Sequence, residues 1–114
     1  MKVKFLIAFI SLVSAFAFFH PEKQPLPNFK QGVWVIQYNA EFNKSNEYAW
    51  MNVGGINYHL FDLDQNIDLK SKMKIHSVPT IVVYKNGREV KRWEAGMQFK
   101  ITIPQREIIN HAKK

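Results

Sequence analysis

Apolar and polar positions divide this chain into a leader, a linker and a succession of short elements. Phe5 to Phe19 is apolar except for Ser11 and Ser14, and it follows two lysines, Lys2 and Lys4. Pro21, Pro25 and Pro27 then punctuate a polar stretch that predicts an extended linker over 18–31. Val33 to Tyr38 is nearly continuously apolar, as a parallel strand buried on both faces should be. Lys44 to about Val53 predicts a helix, with Tyr48, Ala49, Met51 and Val53 available for packing and Gly54-Gly55 as its stop. Asn57 to Leu63 predicts the second strand. Asn66 is then placed to cap a short helix through Met73, with Ile67 and Met73 as its apolar anchors. Thr80 to Tyr84 reads as a buried strand entered through Pro79, a residue that cannot donate to a strand ladder. Asn86-Gly87 predicts a tight hairpin into Arg88 to Trp93. Thr102-Ile103-Pro104-Gln105 is a T-x-x-Q capping box with proline inside the first turn. It opens a last helix whose buried stripe is Ile108, Ile109 and Ala112, and Lys113 and Lys114 suit its C-terminal dipole.

Several of these segments carry a recognisable pattern. Val78-Pro79-Thr80 and Lys85-Asn86-Gly87, on either side of an apolar strand, match a signature residue for residue. Upstream, Gly32 to Phe42 (GVWVIQYNAEF) and Phe61 to Asn66 (FDLDQN) follow in the right order. Over roughly residues 32–112 the chain resembles the thioredoxin family. The resemblance implies an α/β domain with a minimal βαβαββα core and a four-stranded mixed sheet flanked by helices. The family's extra strand and helix ahead of the first central strand would find too little chain here. The family also places a cis-proline at the position of Pro79.

The chemistry departs from that pattern. Where the family carries Cys-x-x-Cys this chain reads Asn43, Lys44, Ser45 and Asn46, and it has no cysteine anywhere. Asparagine has no redox chemistry, so dithiol exchange is excluded; both asparagines read instead as caps on a helix N-terminus. The position of the family's buried proton-relay aspartate is Gln37, which cannot take up a proton from a thiol. What the resemblance leaves is a groove for an extended peptide. Its candidate residues are Phe42, Val78 and Pro79, with the backbone N–H and C=O of Val78 offered for strand addition. The functional expectation is a redox-inactive module that binds a protein or peptide. Two other readings stand beside it. One is glutathione-dependent chemistry using Ser45 or Tyr38, although the second helical domain of glutathione transferases has no counterpart here. The other is a structural subunit. Asn43-Lys44-Ser45 is also a formal N-glycosylation sequon.

Composition narrows the rest. The 114 residues suffice for one small domain, and 46% apolar residues supply its core. Without cysteine no disulfide or thiolate metal site is possible, and the four histidines include no pair at ligand spacing, so no metal or other cofactor is expected. The charge of +7 falls by two when Lys2 and Lys4 are set aside; the remaining basic residues are dispersed and no nucleic-acid motif is present. The two lysines, the apolar run and Ala15-Phe16-Ala17 have the anatomy of a signal peptide over 1–17, or of an uncleaved anchor to about residue 19. Either predicts an exported domain over 32–114, periplasmic or secreted, with the membrane touched only through the leader if it stays uncleaved.

Overall fold

The computed structural model of the chain describes residues 29–114. The leader, its cleavage pattern and most of the predicted linker lie outside the described residues. Strand β1 (Val33–Asn39) leads into a short 3-10 helix (Glu41–Asn46), followed by β2 (Asn57–Asp62), helix α1 (Ile67–Lys72), β3 (Thr80–Lys85), β4 (Arg88–Glu94) and helix α2 (Gln105–Lys113). The strands form one mixed sheet in the order β2-β1-β3-β4. β1 runs parallel to β2 and antiparallel to β3, with Ile36 opposite both His59 and Val82; β3 and β4 form the predicted hairpin. Among the described residues no helix is long and apolar enough to cross a membrane.

Side chains alternate between the two faces of a strand, so the apolar run of β1 feeds two cores. Ile36, Tyr38, Phe61, Val82 and Tyr84 pack on one face with Leu69 of α1. Val35, Ile81 and Val83 pack on the other with Ile108 and Ala112 of α2. Ile108 is fully buried, which is worth roughly 2–3 kcal/mol relative to exposure. At the hairpin Asn86 and Gly87 both take positive φ (50° and 86°), the geometry of a type I′ turn. The Asn86 side chain accepts the Gly32 N–H (2.9 Å), which ties the turn to the entrance of β1. Phe29, within the predicted linker, stacks on Tyr84 at 5.0 Å.

The structure corrects four expectations. The helix predicted over Lys44 to Val53 is absent: beyond the 3-10 helix, residues 47–52 are irregular, and Ala49 and Met51 face solvent. The cause lies on β1. Buried Gln37 accepts the Tyr48 N–H (2.8 Å) and donates to the Tyr48 carbonyl (3.0 Å), so this backbone bonds to a strand side chain instead of its own next turn. Trp50 then lies flat against Tyr58 (5.3 Å, 7°). In α1, Leu69 is the buried anchor and Ile67 is 75% exposed, because the first turn faces a groove and not the core. Asn66 occupies the N-cap position, but its side chain donates to the Asp62 carbonyl and makes no cap bond. The T-x-x-Q box does not close either. Pro104 is the N-cap, and the Gln105 amide exchanges two hydrogen bonds with the backbone of Met51 (2.9 and 2.7 Å).

The C-terminus of α1 is well sealed. Lys74 takes the left-handed conformation (φ 56°), Lys74 N–H donates to Ser71 and Ile75 N–H to Lys70, and Ile75 turns back into the core beside Leu69. These bonds are those of a Schellman motif. Arg92 of β4 completes it by donating to the Met73 and Lys74 carbonyls (2.9 and 2.7 Å) while paired with Glu89 (2.8 Å). That seal fixes the path of the 75–79 connection, which borders the candidate site.

Candidate binding site

Asn43, Lys44, Ser45 and Asn46 lie in the 3-10 helix after β1. Asn43 and Asn46 do not cap it; the N-cap residue is Ala40, which makes no side-chain cap bond. Asn43 is instead 3% exposed and saturated with hydrogen bonds. Its Nδ2 donates to Asn39 Oδ1 and to the Phe99 carbonyl (both 3.1 Å), and its Oδ1 accepts from Asn46 Nδ2 (3.0 Å). Its own N–H donates to Ala40 and its carbonyl accepts from Asn39 Nδ2. An amide can fill every valence in this way because it carries two donors and an acceptor in one plane, which neither a thiol nor a hydroxyl provides. N-glycosylation of Asn43 would replace one of its two Nδ2 hydrogens, so at least one of these two bonds would be lost. Lys44 and Ser45 project into solvent.

Asn39 and Phe99 were not singled out by the sequence reading, and their parts differ in legibility. Asn39 lies four residues before Asn43, a spacing open to inspection. Phe99 comes from 56 residues away and adopts φ 56° in the 96–100 loop, which no local pattern announces. The bond from Asn43 holds that loop against the 3-10 helix, and Phe99 meets Phe42 edge-on (5.6 Å, 86°).

Across from this pair the Val78–Pro79 peptide bond is cis. The Pro79 carbonyl accepts from Ala95 N–H and the Ser77 carbonyl from Thr80 Oγ1, so the strand entrance is held on both sides. Between them the N–H and C=O of Val78 have no hydrogen-bond partner among the described residues. Its side chain is buried in the core. Val78 lines a groove of about 350 Å³ whose walls also include Phe42, Phe99, Ile67, Lys70 and His76. Phe42 is 72% exposed and Phe99 42%, so with Ile67 the rim presents three large apolar side chains to water. The structure places Phe42 and Val78 at this groove and adds Phe99, Ile67, Lys70 and His76. Pro79, expected in it, is fully buried and not among its walls, and the buried Asn43 reaches it only through its bond to the Phe99 carbonyl. A smaller cleft of about 140 Å³ beside Glu41, Lys44, Glu47 and Asp62 has a charged rim.

Tyr38 is not at this site. It is fully buried, its hydroxyl pairs with that of Tyr84 (3.0 Å), and burial first and Tyr84 second push its pKa far upward. Glutathione chemistry through Tyr38 is thereby ruled out. Gln37 accepts and donates to Tyr48 and donates to the Tyr58 hydroxyl (2.7 Å), so it works as a brace for the loop. Burial raises the pKa of Tyr58 to about 12, partly offset by the Gln37 bond.

No family model matches the chain, and no curated protein matches it. Solved structures do. A thioredoxin from Fasciola hepatica superposes with a TM-score of 0.52 and 22% identity, over 75% of this chain and 86% of that one. The fold is that of the thioredoxins. A malarial protein of solved structure gives a TM-score of 0.51 at 22% identity, over 73% of this chain and 96% of that one. Likeness to the thioredoxin at this level of identity concerns fold, not activity. With no cysteine in the chain, this thioredoxin fold has no thiol of its own for disulfide exchange.

Proposed function

We propose that the protein is an exported, redox-inactive thioredoxin-fold module that holds an extended segment of a partner protein in its groove. The observation that carries this reading is that the N–H and C=O of Val78 have no partner among the described residues and lie beside an exposed rim of Phe42, Phe99 and Ile67. A strand laid along Val78 would satisfy both backbone groups, and apolar side chains on that strand would cover the rim. Exposed apolar surface of this kind is costly to leave in water and is characteristic of interaction sites. Export is supported by the sequence of the leader alone, with its lysines, apolar run and Ala15-Phe16-Ala17.

The test is site-specific photo-crosslinking in the native host. One probe replaces Phe42 and a control probe replaces Lys91 on the hairpin. The proposal requires a discrete adduct at position 42, absent at 91, mapping to one short segment of the partner and suppressed by Ile67→Asp. Adducts at position 91 alone, or at neither, would reject the groove and favour a structural subunit.

A further inference from the structure

We infer that the segment taken by the groove carries an acidic side chain next to its apolar residues. The inference rests on the binding role proposed above and names the chemistry of the occupant. Three charged or ionisable side chains line the groove: Asp64, Lys70 and His76. Asp64 is held in place, since its Oδ2 accepts the Glu41 N–H at 2.7 Å and its own N–H donates to Asp62 Oδ1; these bonds leave its negative charge intact, so Lys70 and His76 must outweigh it. Lys70 and His76 have no ion pair or side-chain hydrogen bond among the described residues, and both are exposed at the groove wall. The backbone of Lys70 is fixed, because its carbonyl accepts the Ile75 N–H that closes α1. An ammonium and an imidazole N–H at the same wall suit a carboxylate, which accepts from both.

The carboxylate belongs to a side chain and not to a chain end. One antiparallel residue can satisfy both the donor and the acceptor of Val78 with its own backbone, so the backbone is spent at Val78 and the carboxylate that meets Lys70 and His76 comes from a neighbouring side chain. Lys70 and His76 are both exposed, so the acid stays partly hydrated. Charge there sets preference among apolar segments more than it sets total affinity.

The probes are three pools of end-capped octapeptides. Each pool has a four-residue core randomised over Val, Leu, Ile and Phe, with flanking positions all Glu, all Gln or all Lys. Binding to the full-length protein is read by competition for a fluorescent member of the tightest pool. The Glu pool is expected to bind roughly threefold more tightly than the Gln pool and about tenfold more tightly than the Lys pool at low salt. Lys70→Glu, at an exposed position whose backbone bond is retained, should reverse the order of the Glu and Lys pools. Lys113→Glu, far along the chain on α2, should leave it unchanged. Equal binding by the three pools, or a Lys70→Glu protein that keeps the original order, overturns the acidic preference while leaving the groove itself intact. Binding by none of them overturns both readings.

Discussion

Replacing Asn43 with alanine removes the amide at the centre of the site, and its cost can be worked out bond by bond. Three side-chain hydrogen bonds disappear: to Asn39 Oδ1, to the Phe99 carbonyl and from Asn46. Asn39 is 4% exposed, so its Oδ1 is left buried without a donor, at roughly 1–3 kcal/mol. The Phe99 carbonyl sits in an exposed loop and Asn46 is half-buried, so water can replace those partners, and each loss is about 0.5 kcal/mol. The sum is about 2–4 kcal/mol, a large part of the stability of a domain this size. Urea denaturation followed by tryptophan fluorescence measures it. Asn43→Asp keeps the volume but sets an oxygen against Asn39 Oδ1 and the Phe99 carbonyl, so it should cost at least as much at pH 7. Burial among acceptors raises the folded-state pKa of that aspartate above its unfolded value. The aspartate variant should therefore regain stability as pH falls and lose it as pH rises through the folded pKa. A loss under about 1 kcal/mol for Asn43→Ala, or an aspartate variant as stable as wild type at pH 7, would refute the saturated-amide account.

Other perturbations test the surrounding structure. Arg92→Ala should cost about 1–2 kcal/mol by uncovering the Met73 and Lys74 carbonyls, and amide exchange at Ile75 should quicken while β1 stays protected; uniform acceleration would argue against a local seal. Burial lowers the pKa of His59 below its ordinary 6.5, so the unfolded chain binds more protons in that range. Stability should be level above 6.5 and decline as pH falls below it, and His59→Gln should flatten that decline; an unchanged slope would assign it elsewhere. The tyrosines at 38, 48, 58 and 84 all have pKa values raised by burial, so tyrosinate absorbance should lag a free-tyrosine curve at pH 10 and rise with unfolding. Normal titration near 10 would contradict the burial of these four rings.

The sheet was legible because its determinants are local. Val33 to Tyr38 and Thr80 to Tyr84 are apolar runs of strand length, and Asn86-Gly87 supplies the positive φ its turn requires. The segment after β1 was not legible, since what unmakes its helix is Gln37, eleven residues back and on another element. Ile67 has the apolar character of an anchor, yet only the packed structure places the first turn of α1 over a groove. At the site, Phe42 and Val78 could be placed by pattern. The alternative fate of the asparagines could not, since capping and a buried network use the same donors and acceptors and differ only in where Asn39 and Phe99 arrive.

The saturated amide at position 43 also bears on what the chain can become. A cysteine there would bring one weak S–H donor where two strong ones are used, and it would strand Asn39. A cysteine at 46 would remove the donor that Asn43 accepts. A dithiol needs both replacements, so whichever came first would arrive in a weakened protein with no new activity to set against the loss. Introducing sulfur at 43 or 46 is therefore the costly direction, and single substitutions that keep the domain folded lead away from disulfide chemistry.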